Sequence, residues 1–159
     1  MAIPKKAAER IQSGLKQYVP ILNGLRDRDV AEADTVTVVK DILSDVLGFD
    51  KYTEVTGELA IRGTFCDLAV KVEGKLQTLI EVKAIGLELS DRHVKQAIDY
   101  AANQGVDWVV LTNGADWVLY HVLFKKPIDK EEVIRINLTQ VNPKSESDLE
   151  KLFLFSREA

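Results

Sequence analysis

Cysteine, histidine and surplus positive charge are all scarce in this chain. One cysteine and two histidines occur among 159 residues, and the formal net charge is −4. The single cysteine, Cys66, excludes an intrachain disulfide and is typical of a reducing compartment. The mild negative charge counts against a nonspecific nucleic-acid coat, which normally carries a basic surplus. It does not exclude a metal-dependent site, because a bound cation offsets carboxylates locally.

Long apolar runs and flexible linkers are also missing. No apolar run approaches the length needed to cross a bilayer. The first ten residues, MAIPKKAAER, lack the apolar stretch of a secretory signal. We therefore expect a cytoplasmic protein with no membrane partner. No repeat, low-complexity tract or linker rich in Pro, Gly or Ser divides the sequence, so its 159 residues fit a single domain.

Apolar periodicity predicts an α/β fold. Helical spacing of apolar residues occurs in four segments, at about 5–26, 30–47, 90–103 and 146–156. One strand pattern ends near residue 61. Five more occur at about 64–72, 76–83, 108–111, 117–123 and 133–138. Strands joined by hairpins, followed by a crossover helix and a further strand, imply a mixed sheet flanked by helices.

Two carboxylates are predicted to face each other across the second hairpin. Matching the apolar faces of its strands pairs Val72 with Leu76 through a three-residue turn at 73–75. The same register sets Asp67 directly opposite Glu81. Like charges in such a position destabilise a strand pair, so we expect a cation between them. Converging oxygen ligands suit a hard divalent ion such as Mg²⁺.

Two further charged residues belong to this prediction. Lys83 lies two residues beyond Glu81 on the same strand face, where its ammonium can orient an attacking water or stabilise charge on a phosphate oxygen. Glu32 lies seven residues before Val39 along the apolar stripe of the second helix, so we expect it to point at the core. An E-x-K motif on a strand is more often a solvated face, so the predicted proximity of Asp67 and Glu81 carries the argument.

The third helix brings polar residues of its own. Gln96 and Tyr100 are spaced i,i+4 and share a helix face, and His93 lies one turn before Gln96. An alternative is that Tyr100 packs on the sheet while Gln96 and His93 face solvent. For His93 we expect a supporting or surface position rather than a ligand role.

The order and spacing of these motifs resemble the PD-(D/E)XK nuclease superfamily. More narrowly, the sequence is similar to the N-terminal nuclease domain of type I restriction enzyme R subunits. The resemblance spans about residues 31–158. It is carried by Glu32-Ala33-Asp34-Thr35 with Leu47-Gly48-Phe49-Asp50, the Asp67 strand, Ile80-Glu81-Val82-Lys83-Ala84, Leu111-Thr112-Asn113-Gly114 with Trp117-Val118-Leu119-Tyr120, and the closing segment 152–158.

This resemblance implies a restriction-endonuclease-like αβββαβ core that hydrolyses DNA phosphodiester bonds. Asp67 and Glu81 would hold Mg²⁺, for which Mn²⁺ substitutes, and Glu32 would complete the metal environment. Lys83 would position or activate the nucleophilic water. The catalytic core would span residues 30–125, between an N-terminal helical extension at 1–29 and a C-terminal strand and helix at 126–159.

The third helix also matches the superfamily, whereas the chain departs from the superfamily pattern at two points. Gln96 and Tyr100 match its Q-x-x-x-Y helix, which supports the site and contacts nucleic acid. Cys66 replaces the proline of the motif, a position that varies within the superfamily. The chain has no G-x-x-x-x-G-K-[ST] loop, so we expect no ATP site. The implied partners are DNA and separate restriction or repair subunits.

Two other interpretations stay open. A binding module could keep the fold and the site residues yet cleave nothing, with the N-terminal helix serving as a homodimer or partner-docking element. That helix could equally pack on its own core. A purely structural α/β domain is the third interpretation, and it predicts no metal binding and no change of stability on adding Mg²⁺ or Mn²⁺.

Overall fold

The computed structural model describes residues 3–61 and 64–159, with residues 58–61 and 64–66 described by their backbone alone. Residues Arg62 and Gly63, between the first two predicted strands, and the side chain of Cys66 therefore lie outside the described part. The elements are α1 (Lys5–Asp27), α2 (Glu32–Asp45), β1 (Val55–Ile61), β2 (Thr64–Val72), β3 (Lys75–Val82), α3 (Lys95–Gln104), β4 (Trp108–Thr112), β5 (Asp116–Leu123), β6 (Asp129–Asn137) and α4 (Glu146–Phe153).

The described strands form one mixed sheet in the order β1-β2-β3-β4-β5-β6. Strands β3 and β4 are parallel, and every other neighbouring pair is antiparallel. A parallel pair needs a crossover connection, which α3 supplies. The predicted α/β fold with a mixed sheet flanked by helices is confirmed.

Each face of the sheet has its own apolar core. One core combines α1, α2 and α4 with sheet residues such as Leu68, Ile80 and Val110. The other packs α3 against residues of opposite parity, such as Ala69 and Leu79. The alternation of strand side chains therefore places residues 67, 69, 79 and 81 on the α3 face.

Helix α1 belongs to this single unit through its buried face. The buried apolar residues of the helix recur every three or four positions, which keeps them on one side: Ala7, Ile11, Leu15, Tyr18 and Leu22. Gly14 lies so close to α2 that a Cβ there would be 2.5 Å from a methyl of Val46. The Tyr18 hydroxyl donates a hydrogen bond to Asp45. The helix thus packs on its own core.

The turn between β2 and β3 corrects one prediction. We expected three residues in the turn, but Val72 pairs with Lys75, which leaves the two-residue turn Glu73-Gly74. Both have positive φ, 53° and 78°, as a type I′ hairpin turn requires. A β-bulge in β3, which leaves Gln77 between the pairs Val70–Thr78 and Lys71–Leu76, then shifts the register by one residue. The bulge restores the register that the longer turn would have set.

Other element boundaries differ from the predictions by a few residues. The third helix does not start at residue 90: a 3₁₀ turn at Asp91–His93 precedes α3. The Ser90 amide donates to His93 Nδ1 at 3.1 Å, which tightens that turn. Strand β6 begins four residues earlier than predicted because its whole length pairs with β5. Among the described helices, none combines the length and the apolar character that crossing a membrane requires.

Candidate active site

Asp67 and Glu81 meet on the α3 face of the sheet. Leu68 pairs with Ile80, and the next position in the same register sets Asp67 opposite Glu81. The two carboxyl groups share a hydrogen bond. Asp67 Oδ2 also accepts a hydrogen bond from the Val82 amide at 2.8 Å, which fixes its orientation. The opposition predicted from the apolar pattern is present in the structure.

The surroundings of Glu81 favour its protonated form. Its side chain is only 12% exposed, and burial raises its pKa to about 8, helped by the hydrogen bond that protonated Glu81 donates to Asp67 and by the negative charge of the Asp67 carboxylate. Lys83 acts in the opposite direction, and Glu32 adds a weaker raising effect. At neutral pH the Asp67–Glu81 pair therefore holds one proton when no cation is bound.

Lys83 lies beside this pair. Its Nζ is 3.8 Å from Glu81 Oε1, and its side chain is 25% exposed. The Lys83 amide donates to the Thr112 carbonyl at 2.9 Å, which continues the pairing of β3 with β4 by one residue. The ammonium therefore lies between the half-buried carboxyl pair and solvent, where an incoming anion can meet it.

Glu32 does not point into the core as predicted. It is the first residue of α2, and its side chain is exposed. The buried stripe of the helix starts one turn later, at Thr35, and continues through Val38 and Val39. The helical period correctly places Glu32 on the same side of α2 as the buried stripe. The first turn of α2, however, extends beyond the residues that pack on this helix, so water reaches the Glu32 side chain. Its charge still acts on Glu81.

The polar residues around α3 occupy different environments. His93 is half-buried, and burial followed by the charges of Lys83 and Arg92 holds its pKa below the usual range. Because His93 Nδ1 accepts from Ser90, the neutral ring carries its hydrogen on Nε2. Tyr100 is half-buried against the core on the α3 face, and Gln96 is exposed.

A family comparison adds to this geometry. The family described as type I restriction enzyme R protein N terminus matches residues 41–136, more than half of the chain. The chain belongs to this family. The predicted resemblance to the N-terminal domain of R subunits is confirmed over that span. No curated protein and no solved structure matches the chain. Membership supports a restriction-related, nuclease-like role.

The match to the R protein N-terminal family covers the central charged residues and leaves others out. It includes Asp67, Glu81 and Lys83 together with α3. Glu32 and α4 lie outside the matched residues, so their assignment rests on the sequence motif and on the geometry described above.

The donor chemistry of the pair fits a divalent cation. Asp67 and Glu81 offer hard oxygen ligands in direct contact, and a cation would replace the proton that they share. Among the side chains that the structure describes, no group of three or more His, Cys, Asp or Glu residues is arranged to hold a metal ion.

Sequence analysis missed the side chains that hold the segment after Lys83. Thr35 Oγ1 accepts from the Ile85 amide at 3.1 Å, and Asn113 Nδ2 donates to the Leu87 carbonyl at 3.0 Å. Both side chains are buried. The Thr-Asn-Gly sequence at 112–114 is typical of a turn, but nothing in it indicates which distant loop Asn113 binds.

Proposed function

We propose that this chain is a Mg²⁺-dependent DNA endonuclease domain that hydrolyses phosphodiester bonds. The observation that carries the proposal is the half-buried Asp67–Glu81 pair with Lys83 Nζ 3.8 Å from Glu81. Two carboxyl groups that face each other and are partly removed from water are costly to keep unless they share a bound cation or a proton. Membership of a restriction-enzyme family supports DNA as the substrate.

Asp67 and Glu81 would hold the Mg²⁺ ion, and Mn²⁺ would substitute for it. Glu32, exposed at the start of α2, would contribute from the solvent side, directly or through water. Bound there, the ion would supply a nucleophilic water at neutral pH and would stabilise negative charge on the phosphate. The chain uses no ATP in this reaction.

The other site residues would position the substrate and the water. The Lys83 ammonium holds the attacking water or a non-bridging phosphate oxygen, next to the carboxylates. His93 is neutral near pH 7 and offers its Nε2 hydrogen as a donor to the DNA backbone, since Nδ1 is occupied. Gln96 and Tyr100 support the site and contact DNA from α3.

A non-cleaving DNA-binding or partner-docking module is the second candidate. It is favoured by one observation: in the part of the chain that the structure describes, Asp67, Glu81 and Glu32 do not form a three-residue metal cluster. Separate restriction or repair subunits would then complete the activity. The apolar face of α1 is buried in its own core, so a homodimer would use a different surface.

Nicking of supercoiled DNA tests the proposal. Wild-type protein with Mg²⁺ or Mn²⁺ should nick the plasmid, and chelation by EDTA should stop it. Asp67→Ala should remove both cutting and metal binding, whereas Glu9→Ala, an exposed acid on α1, should leave both unchanged. Metal binding without cutting would favour the second candidate. If the wild-type protein neither binds the metal nor cuts the DNA, both the metal-binding role and the catalytic role of the Asp67–Glu81 pair are rejected.

A further inference from the structure

Buried polar side chains are concentrated around the segment that follows Lys83. Among the described residues, those buried with a polar side chain are Thr35, Thr112, Asn113 and Ser156. The first three lie at the end of the sheet where β3 terminates, whereas Ser156 lies near the chain's end. A buried polar group is costly unless it is hydrogen-bonded, so such a cluster marks backbone whose position is held closely.

Thr35 joins two elements fifty residues apart. Its side chain is fully buried, and its Oγ1 accepts a hydrogen bond from the Ile85 amide at 3.1 Å. The same hydroxyl donates to the Ala31 carbonyl at 3.2 Å. Both its donor and its acceptor capacity are used. The first turn of α2 is thereby fixed to the backbone two residues beyond Lys83.

Asn113 holds the same segment from the other side. Its Nδ2 donates to the Leu87 carbonyl at 3.0 Å. Its Oδ1 accepts from the Ala115 amide at 3.1 Å and the Asp116 amide at 2.8 Å, which locks the turn between β4 and β5. The segment after Lys83 is therefore held both by α2 and by the sheet.

A third contact holds the same segment at Gly86, between the residues bound by Thr35 and Asn113. A Cβ placed on Gly86 would lie 2.3 Å from Asp29 Oδ1, so the connection between α1 and α2 presses directly on this segment. Asp29 has a φ of 49°, a conformation that non-glycine residues rarely adopt. The segment after β3 is thus held against the start of α2 by two side chains, the Asp29 carboxylate at Gly86 and the Thr35 hydroxyl at Ile85.

Glu32 and Thr35 are three residues apart in the first turn of α2, on the same side of the helix. We propose that Thr35 is a positioning residue, whose hydrogen bond to the Ile85 amide sets the placement of Glu32 relative to Glu81 and Lys83. The inference rests on the proposed function, because that function gives the placement its purpose. Thr35 itself touches neither metal nor substrate in this scheme.

Matched threonine variants separate this role from general stability. Thr35→Val keeps the side-chain shape, removes the hydroxyl and leaves the Ile85 amide without its partner. Thr35→Ser keeps the hydroxyl and loses only a methyl group. Thr37→Val is the control on the same helix, because Thr37 is exposed and its hydroxyl donates only to the Ala33 carbonyl at 3.3 Å. Each variant is compared with wild type for Mg²⁺ affinity, DNA nicking and amide exchange at Ile85.

Thr35→Val should weaken Mg²⁺ binding about tenfold, as removal of residues that support metal ligands does. It should lower the cleavage rate at saturating DNA by at least the same factor and leave the KM for DNA unchanged. Thr35→Ser should retain wild-type affinity, and Thr37→Val should match wild type throughout. Exchange at the Ile85 amide should accelerate only in Thr35→Val.

Three outcomes are distinguishable. If Thr35→Val shows faster Ile85 exchange but wild-type Mg²⁺ affinity and cleavage, the positioning role is overturned while the proposed function stands. If Thr35→Val fails to fold, loss of affinity in the folded Thr35→Ser variant would overturn it instead, since the hydroxyl is retained there. If wild-type protein binds no Mg²⁺, the proposed function fails first, and this inference fails with it.

Discussion

Asp67 and Glu81 share a hydrogen bond across the β2–β3 strand pair, and burial raises the pKa of Glu81 to about 8. Two carboxyls in this position hold one proton at neutral pH in the absence of a cation. A site that stores a proton between two oxygen ligands is suited to exchange it for a metal ion. The following predictions depend on that exchange or on the packing that holds the site in place.

Stability of the metal-free protein should fall with rising pH through the contribution of Glu81. The pKa of Glu81 is raised from 4.5 to about 8 on folding. Its contribution is therefore fully present below pH 4.5 and is lost as the pH rises to about 8, because the folded state binds the proton more tightly. The slope is at most about 1.4 kcal/mol per pH unit.

Urea denaturation in EDTA at several pH values between 5 and 8 measures this slope. Glu81→Gln has no proton to lose at that position, so wild type should lose stability relative to the variant as the pH rises. Parallel stability curves for the two proteins would show that Glu81 titrates normally in the folded state.

Binding of Mg²⁺ should release a proton near pH 7. The cation takes the place of the proton shared by Asp67 and Glu81, and ligating carboxylates must be deprotonated. Calorimetry in two buffers of different ionisation enthalpy gives the number of protons released. That number should be close to one near pH 7 and should decline above about pH 8. No release near pH 7 would mean that the ion binds elsewhere.

Close packing between α1 and α2 should make two helical glycines respond in opposite directions. Gly14→Ala places a Cβ 2.5 Å from a Val46 methyl, and overpacking of this kind costs about 1–3 kcal/mol. Gly24→Ala meets nothing within 4 Å in the same helix, so it should stabilise by about 0.5–1 kcal/mol. Chemical denaturation of both variants compares them directly, and equal effects would contradict the close approach.

The sequence predicted the order of elements because each one satisfies a local pattern. Helix α1 repeats apolar residues at helical spacing from Ile11 to Leu22, and β2 alternates from Thr64 to Val72. The opposition of Asp67 and Glu81 followed from matching apolar faces, because a slip of one residue would have set the apolar face of one strand beside the charged face of the other.

What the sequence did not predict depends on contacts between distant segments. The Glu73-Gly74 turn needed a compensating bulge, which no local pattern specifies. Glu32 was predicted to point at the core because the helical period does not show where a helix extends beyond the elements that pack on it. The hydrogen bond from the Ile85 amide to Thr35 spans fifty residues, so neither residue carries a local signal of it.

The most direct test of the central claim is nicking of supercoiled DNA by Lys83→Ala, with Mg²⁺ affinity measured on the same protein. Lys151→Ala, which removes an exposed lysine from α4, is the matched control. We expect Lys83→Ala to lose cleavage while largely retaining metal binding, because its ammonium lies beside the carboxyl pair without being a ligand. Cleavage at the wild-type rate by Lys83→Ala would contradict the assignment of this centre.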